Sequence, residues 1–147
     1  MAESVRLAEM MRRARGRDDL AALHQAIPYH RFLGLEMRET EAGPVLVMPY
    51  HDKLIGNPTL PALHGGVTGA LLECTAIATA ITEVETADLP KIVNIAIDYL
   101  RPGRPLDTFA RGRITRQGRR VVNVQALAWQ RRQEEPIATA SAHFLIA

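Results

Sequence analysis

The spacing of apolar residues changes along the chain from helical to strand-like. Residues 3–15 have the spacing of an amphipathic helix. The positions that share one face of this helix are Val5, Ala8, Met11 and Ala14. Asp18 is placed as the N-cap of a second short helix, which Pro28 ends. We therefore predict a helical extension over residues 1–27, ahead of one domain over residues 28–147.

After this extension the apolar residues alternate as they do in strands. Two strand-like runs surround a Gly-Pro turn at 41–44, and a long loop rich in Gly and Pro follows them. Residues 67–82 are rich in Ala, Leu and Ile and lack a polar face, which predicts a helix buried on most sides. Turn residues then separate four further strands, at roughly 91–101, 106–116, 120–131 and 136–146.

The order of these elements predicts an α+β fold in which a largely antiparallel sheet wraps around one central helix. The last strand supports this arrangement, because small residues on one of its faces let a helix approach the sheet closely. Its apolar face consists of Ala138, Ala140, Ala142 and Phe144, and its polar face of Thr139, Ser141 and His143.

Composition narrows the class of protein. The 147 residues suit a single domain, and 47% apolar residues with 23% charged residues is ordinary for a globular chain. A net charge of +2 and an aromatic content of 5% do not favour nucleic-acid binding. No apolar run approaches the roughly 20 residues of a membrane span, and the amino terminus lacks the apolar core of a secretory signal. We expect a cytoplasmic protein that binds neither nucleic acid nor membrane.

The candidate chemistry concentrates in His64-Gly65-Gly66 and the helix behind it. Glu73 is the one charged residue between His64 and Glu83. A lone carboxylate among apolar residues is costly unless it is paired, and it can act as a general base on water or as a nucleophile on an acyl carbon. The alternative is a side chain that points to solvent at the helix edge. Gly65 and Gly66 either present helix N-terminal N–H groups to a developing oxyanion or only turn the chain tightly into the helix.

The spacing of these groups predicts a dimer. Gly66 and Glu73 are seven residues apart, which on a helix is about 10 Å along the axis and on one face. Attack on a carbonyl needs both groups within about 3–3.5 Å of the reacting atoms, so one helix cannot easily supply both. Two helices packed antiparallel about a two-fold axis bring the glycine end of each opposite the carboxylate of the other. We predict a homodimer with two active sites across its interface.

The same segments resemble the hotdog-fold acyl-CoA thioesterases of the PaaI (phenylacetyl-CoA thioesterase-like) group. The resemblance covers about residues 28–147, and it is more specific for the fold than for the substrate. The matching segments are IPYHRFLGLEM, IGNPTLPALHGGVTGALLECTA, IDYLRPG, RITRQGRRVVNVQA and ATASAHFLIA. It implies a hotdog fold, hydrolysis of an acyl-CoA to a free acid and CoA, no cofactor beyond the CoA of the substrate, and dimers that often pair into tetramers.

The resemblance also implies roles for single residues. Glu73 becomes the catalytic acid, as nucleophile or general base, and the Gly65 N–H polarises the thioester carbonyl. Asn57 best matches an Asn or Gln of the preceding loop that contributes to the site, although its spacing to His64 is slightly longer than usual. His64, at the helix entrance, either helps to orient the thioester or caps the helix.

This chain departs from the family pattern at the residue that positions water. Family members carry a hydroxyl residue either near the start of the first strand after the helix or one turn beyond the acid. Here these positions hold Ile92 and Ile77. Thr75 and Asn94 are therefore the remaining candidates for this role.

Arginines at turns suit the phosphates of CoA. The best placed are Arg101, Arg104, Arg119 and Arg120. The single cysteine, Cys74, excludes an internal disulfide, and no histidine is placed by sequence to activate it, so we interpret it as a small core residue. The five histidines lack ligand spacing, and we predict no metal site.

Two rival functions stay open. A non-catalytic acyl-CoA-binding hotdog protein would keep the fold and the pocket but would tolerate the loss of Glu73. An enoyl-CoA hydratase would need an Asp/His pair ahead of the central helix, and Asn57-Pro58 is followed by Thr and Leu where a His is wanted. The sequence does not distinguish aryl from fatty acyl groups as substrate.

Overall fold

The computed structural model describes residues 2–14, 20–86 and 88–146. The predicted elements follow the predicted order, and one short helix and two short strands were not predicted. The helices are α1 (Ala2–Ala14), α2 (Leu20–Ala26), α3 (Pro28–Leu33) and α4 (Gly65–Glu83). The strands are β1 (Glu36–Thr40), β2 (Gly43–Met48), β3 (Ile55–Asn57), β4 (Ala62–Leu63), β5 (Lys91–Tyr99), β6 (Thr108–Gln117), β7 (Val121–Trp129) and β8 (Ala138–Leu145). The predicted N-cap Asp18 lies outside the described residues.

The six longer strands form one antiparallel sheet in the order β1-β2-β6-β7-β8-β5. The short strands β3 and β4 pair with each other in the loop ahead of α4. β5 follows α4 directly in the chain but lies at the end of the sheet, so its outer edge has no partner strand within the described ranges. The predicted class, an α+β fold with an antiparallel sheet around a central helix, is confirmed.

α4 is the central helix, and it packs mainly on β6, β7 and β8. Most of its residues are buried because it carries no polar face that could meet solvent. It is the one described helix long and apolar enough to cross a membrane, and most of it lies inside the fold. The alternation predicted for β8 is confirmed, since Ala138, Ala140, Ala142 and Phe144 are all buried.

Gly112 on β6 marks a close approach between the sheet and α4. A Cβ at this position would overlap the Thr79 hydroxyl, which donates a buried hydrogen bond to the Thr75 carbonyl at 2.8 Å. We expect Gly112→Ala to lower the free energy of unfolding by about 1–3 kcal/mol, measured by urea denaturation. The double variant Gly112→Ala/Thr79→Ala removes the colliding hydroxyl and should recover most of this loss. Equal stability of the single variant and the wild type would contradict the close approach.

The N-terminal helices pack on the carboxyl-terminal half of α4. Their buried side chains include Met11, Ala14 and Leu23, which form one cluster with Ala78 and Ile81. The cluster joins the predicted extension to the central helix, while the predicted boundary after residue 27 stays a prediction.

Two features of this region differ from the prediction. Val5 and Ala8, predicted on one helix face with Met11 and Ala14, are exposed, because only the last turns of α1 reach the core. Pro28 begins α3 as well as following α2, since a proline at the first helical position loses no hydrogen bond there. Gly34 then ends α3 with a left-handed φ of 71°.

His24 and His30 form a buried pair that joins α2 to α3. Their Nδ1 atoms are 2.8 Å apart, and the side chains are 2% and 6% exposed. One ring donates and the other accepts, so the contact requires at least one neutral imidazole. Burial, and secondly the charge of His30, lowers the pKa of His24 to about 4, and burial lowers the pKa of His30.

The histidine pair predicts a loss of stability in acid. A histidine whose pKa is lowered in the folded state contributes fully to stability above its ordinary pKa of 6.5. This stabilisation is lost as the pH falls from 6.5 toward the pKa of the folded state. For His24 the loss should reach about 3 kcal/mol near pH 4. Chemical denaturation across this range measures it, and His24→Gln should show a shallower pH dependence. A variant with the same slope as the wild type would exclude His24 as the cause.

Candidate active site

His64 caps the amino terminus of α4. Its backbone is extended, its Nδ1 accepts a hydrogen bond from the Gly66 N–H at 2.8 Å, and its own N–H donates to the Leu54 carbonyl at 2.8 Å. This cap satisfies one of the N–H groups that have no partner inside the helix. Of the two roles considered for His64, the structure shows the capping one, and α4 begins at Gly65, two residues before the predicted start.

The backbone N–H of Gly65, at the same helix end, is free to donate a hydrogen bond. The Tyr99 hydroxyl donates to the Gly65 carbonyl oxygen at 2.8 Å, and His64 takes the Gly66 N–H. The Gly65 N–H has no acceptor in the part of the chain that the structure describes. The residue is exposed, and the helix dipole makes its N–H group electropositive. It can therefore receive the oxygen of a ligand.

The β3–β4 hairpin holds His64 from the other side. Gly56 lies so close that a Cβ there would be 2.6 Å from the Cα of His64. Asn57 follows it, and its Oδ1 accepts hydrogen bonds from the N–H groups of Thr59 and Leu60 at 3.0 and 3.3 Å. These bonds shape the turn between the strands and leave the amide nitrogen of Asn57, an exposed residue, as a donor.

Glu73 lies on a stripe of α4 that the sheet does not cover. The partly or fully exposed residues of this stripe are Gly66, Ala70, Glu73 and Ile77. Their spacings of four, three and four residues place them on one side of the helix. Glu73 is half-buried and has no hydrogen-bond or ion-pair partner among the described residues. The carboxylate is thus neither fully solvated nor neutralised by its own chain.

β5 runs beside this stripe and contacts it closely. A Cβ on Gly69 of α4 would lie 2.9 Å from Ile97 Cδ1 and 3.4 Å from the Tyr99 hydroxyl. The large apolar residues exposed on or next to β5 are Ile92, Val93, Tyr99 and Leu100. An exposed apolar edge strand is a template for pairing with another chain. We call the α4 stripe and the β5 edge together the open face.

The structure brings neither candidate for water positioning to Glu73. Thr75 is buried on the opposite side of α4, where its hydroxyl donates to the Leu71 carbonyl at 2.7 Å. Two residues along a helix correspond to about 200° of rotation, which separates it from the acid. Asn94 lies on the outer face of the sheet, where its Oδ1 is 2.7 Å from His143 Nδ1.

Arg101 and Arg104 lie at the end of the sheet that is close to Gly65. They line a cavity of about 220 Å³ together with Arg131 and Arg132. Arg101 also lines a cavity of about 360 Å³ that reaches Gly65. A path of positive charge therefore begins beside the open N–H.

Arg119 and Arg120 lie at the other end of the sheet. With Arg116 and His143 they line a cavity of about 790 Å³ at the β6–β7 hairpin. The length of β5 separates the two ends by about 27 Å. Within one chain this second arginine group is therefore far from Gly65.

Cys74 is a core residue, as predicted. It is buried, and burial, together with the neighbouring Glu73 charge, raises the pKa of its thiol to about 12. A thiol with so high a pKa is a poor nucleophile near neutral pH. In the described ranges no three His, Cys, Asp or Glu side chains gather where a metal ion could be held.

Residues 60–137, from the loop ahead of α4 to the residue before β8, match the family profile of the thioesterase superfamily. The chain belongs to the thioesterase superfamily. The match contains α4 with Gly65 and Glu73, and it confirms the predicted class of thioester hydrolase.

Named thioesterases are similar over most of their length. The medium/long-chain acyl-CoA thioesterase YigI of Salmonella typhimurium is 28% identical over 134 residues, which cover 82% of this chain and 86% of that protein. YigI of Escherichia coli K12 is 26% identical with the same coverage. The predicted relation to acyl-CoA thioesterases is confirmed.

Solved structures share the fold. A crystal structure from Chromobacterium violaceum is 36% identical, covers 97% of both chains and has a TM-score of 0.74. A Bacillus halodurans protein solved with CoA is 20% identical, covers 99% of this chain and 89% of its own, and has a TM-score of 0.69. A phenylacetic acid degradation-related protein of Ralstonia eutropha is also 20% identical, covers 93% of this chain and 99% of its own, and has a TM-score of 0.74. At 20% identity the last two show the fold alone, which is the predicted hotdog fold.

Sequence reasoning missed two residues of this candidate site, Tyr99 and Gly56. Tyr99 and Gly65 are 34 positions apart in the chain, and only the position of β5 beside α4 brings them together. Gly56 had a usable signal, because it precedes Asn57-Pro58 in a turn-rich segment, but the tight contact with His64 required the fold.

Proposed function

We propose that this chain hydrolyses acyl-CoA thioesters to a free acid and CoA, as a homodimer with its two sites at the interface. The observation that carries the proposal is an unpartnered, half-buried Glu73 on the open face, together with an open Gly65 N–H at the amino-terminal end of the same helix. One is an acyl-transfer base or nucleophile, and the other is an oxyanion donor. The family and the acyl-CoA thioesterase relatives support the same chemistry.

Gly65, rather than Gly66, supplies the oxyanion donor in this proposal. The Gly66 N–H already donates to His64 Nδ1, whereas the Gly65 N–H is open at the positive end of α4. A glycine also lets the acyl group approach the backbone without a Cβ in the way. Gly66 then contributes by holding His64 and by keeping the helix end compact.

A second copy supplies the acid. Glu73 lies about 10 Å along α4 from Gly66, too far for both ends of one helix to meet one carbonyl. Two open faces packed about a two-fold axis place the glycine end of each α4 near Glu73 of the other. The same packing pairs the two β5 edges and covers their exposed apolar residues. Pairs of such dimers form the tetramers that the hotdog resemblance implies.

In the reaction, Glu73 of the second copy acts on the thioester carbonyl carbon either directly or through a water molecule. In the first case a bond from the carboxylate to the acyl carbon replaces the C–S bond, CoA leaves as the thiolate, and a water molecule then hydrolyses the mixed anhydride to the free acid and restores Glu73. In the second case it takes a proton from the water while the new C–O bond forms. The C–S bond then breaks, and the CoA sulfur leaves with that proton. The Gly65 N–H stabilises the charge on the carbonyl oxygen throughout. His64 positions the helix end, and the amide nitrogen of Asn57 is a further donor for the carbonyl side of the substrate.

The phosphates of CoA have two arginine groups available. The cavity beside Gly65 shares Arg101 and Pro102 with the cavity lined by Arg104, so the two lie side by side and offer pantetheine and phosphates a path along one chain. Antiparallel pairing of the β5 edges would bring the far end of the second copy, with its Arg119 and Arg120, toward this path. We assign the phosphates to both groups, one from each copy.

The acyl group is proposed to be a medium- or long-chain fatty acyl group. The residues beside Glu73 on the stripe, Ala70 and Ile77, are apolar and offer no polar partner to a substituted ring. The YigI relatives are named as medium/long-chain acyl-CoA thioesterases, which supports the same class. Fatty acyl-CoA is a cytoplasmic metabolite class, in line with the expected location.

Thiol release from a panel of fatty acyl-CoAs and aryl-CoAs tests this function. We expect hydrolysis, with fatty acyl-CoAs of medium to long chain as the better substrates. Release from aryl-CoAs alone would overturn the substrate class but not the activity. Tight binding of acyl-CoAs without release from any of them would favour the non-catalytic binding protein.

A further inference from the structure

Tyr99 contacts the helix end from β5, and the mechanism above gives it no role. Its hydroxyl donates to the Gly65 carbonyl oxygen at 2.8 Å. Its ring lies where a Cβ on Gly65 would be 3.5 Å from ring carbons, which is ordinary packing distance. Tyr99 is therefore packed over Gly65 as well as hydrogen-bonded to it.

Three of the four polar groups in the two peptide units around Gly65 are held by specific partners. The His64 carbonyl accepts from the Val67 N–H at 3.1 Å, the Gly65 carbonyl accepts from Tyr99 at 2.8 Å, and the Gly66 N–H donates to His64 at 2.8 Å. The fourth group is the Gly65 N–H. Both peptide units are thus held, the His64–Gly65 unit through its carbonyl, while the N–H of that unit, the proposed donor, is left for a substrate.

We propose that Tyr99 is a positioning residue, which holds the Gly65–Gly66 peptide and thereby limits rotation about the Gly65 backbone, so that the N–H of Gly65 in the preceding peptide stays pointed at the oxyanion. The inference rests on the proposed function and deepens it. Two adjacent glycines in the first turn of a helix have unusual backbone freedom, and freedom in an oxyanion donor reduces transition-state stabilisation. Tyr99 removes part of that freedom at the carbonyl side, where His64 makes no contact.

Tyr99 also links this peptide to the edge strand. It is the last residue of β5, whose edge belongs to the open face. A second copy that pairs with β5 would fix the strand and with it the hydroxyl above Gly65. The oxyanion donor is therefore best ordered when the dimer, and with it the partner's acid, is in place.

Tyr99→Phe tests the inference because it removes the hydroxyl and keeps the ring. We expect kcat for acyl-CoA hydrolysis to fall about tenfold, with KM changed by less than about twofold. The control is Tyr29→Phe, an equally conservative change at another exposed tyrosine, which should leave both constants unchanged. The thermal midpoint and the sedimentation behaviour of both variants should match the wild type.

Amide hydrogen exchange at Gly66, whose N–H is hydrogen-bonded to His64 Nδ1, followed by NMR, gives a second readout that does not need turnover. We expect exchange to become about tenfold faster in Tyr99→Phe and to stay unchanged in Tyr29→Phe. Unchanged kcat together with unchanged exchange would overturn the inference, as would a loss confined to KM. If the wild type releases no thiol, the proposed function fails, and the exchange rates alone then decide whether Tyr99 holds the peptide.

Discussion

Glu73→Gln should lower kcat for acyl-CoA hydrolysis by about a thousandfold, with little change in KM. Glutamine keeps the size of the side chain, but it can neither take a proton from water nor attack an acyl carbon. The fold should not suffer, because the Glu73 carboxylate has no hydrogen-bond or ion-pair partner within the described residues whose loss would cost stability. Thiol release at saturating substrate measures the effect.

The matched control is Glu41→Gln, the same change at an exposed turn residue between β1 and β2. It should hydrolyse acyl-CoAs at the wild-type rate. Calorimetry should show that Glu73→Gln still binds a slowly hydrolysed acyl-CoA analogue. A Glu73→Gln variant that keeps more than about a tenth of the wild-type kcat would exclude Glu73 as base or nucleophile.

Ala70→Arg should convert the dimer to a monomer and reduce hydrolysis by about a hundredfold or more. Ala70 lies on the open stripe between Gly66 and Glu73, where two helices related by a two-fold axis would approach most closely. A long charged side chain there both fills the contact and brings two like charges together. In the monomer it can extend into solvent, so the chain should remain folded. Sedimentation velocity, measured beside thiol release, checks both parts.

Ala8→Arg is the control, because Ala8 is an exposed helical alanine on α1 that is not one of the residues of the open face. It should leave both the dimer and the activity intact. A monomeric Ala70→Arg variant with full activity would show that one chain suffices for catalysis. A dimeric Ala70→Arg variant would show that the open face is not the interface.

Much of the fold could be predicted because its signals are local. The alternation in β8 and the absence of a polar face on α4 each report the burial of one element without reference to its neighbours. The extent to which α1 is buried could not be predicted, because it depends on packing rather than on a local signal. Helical spacing indicates which residues share a side, but only packing decides that Met11 is covered and Val5 is not.

Among the candidate site residues, too, those with a local sequence signal were predicted and those that depend on packing were not. Glu73 was found from sequence because an isolated charge in an apolar helix is visible without a fold. Thr75 and Asn94 were chosen by closeness in the chain, and the structure places one behind α4 and the other on the outer face of the sheet. Closeness in sequence fails here because a helix turns by about 100° per residue and a strand alternates its faces.

The sequence by itself determined the central helix, the six long strands, their order, the lone acid and the glycines at the head of its helix, since each depends on residue type and short-range spacing; it did not predict α3, β3 or β4. Only the tertiary structure decided which N–H at that helix end is open, which arginines lie near it, and that Tyr99 reaches Gly65. The His64–Gly66 bond is local, but the other two facts depend on contacts between residues far apart in the chain. Such contacts exist only once the hydrophobic face of α4 has been buried against the sheet.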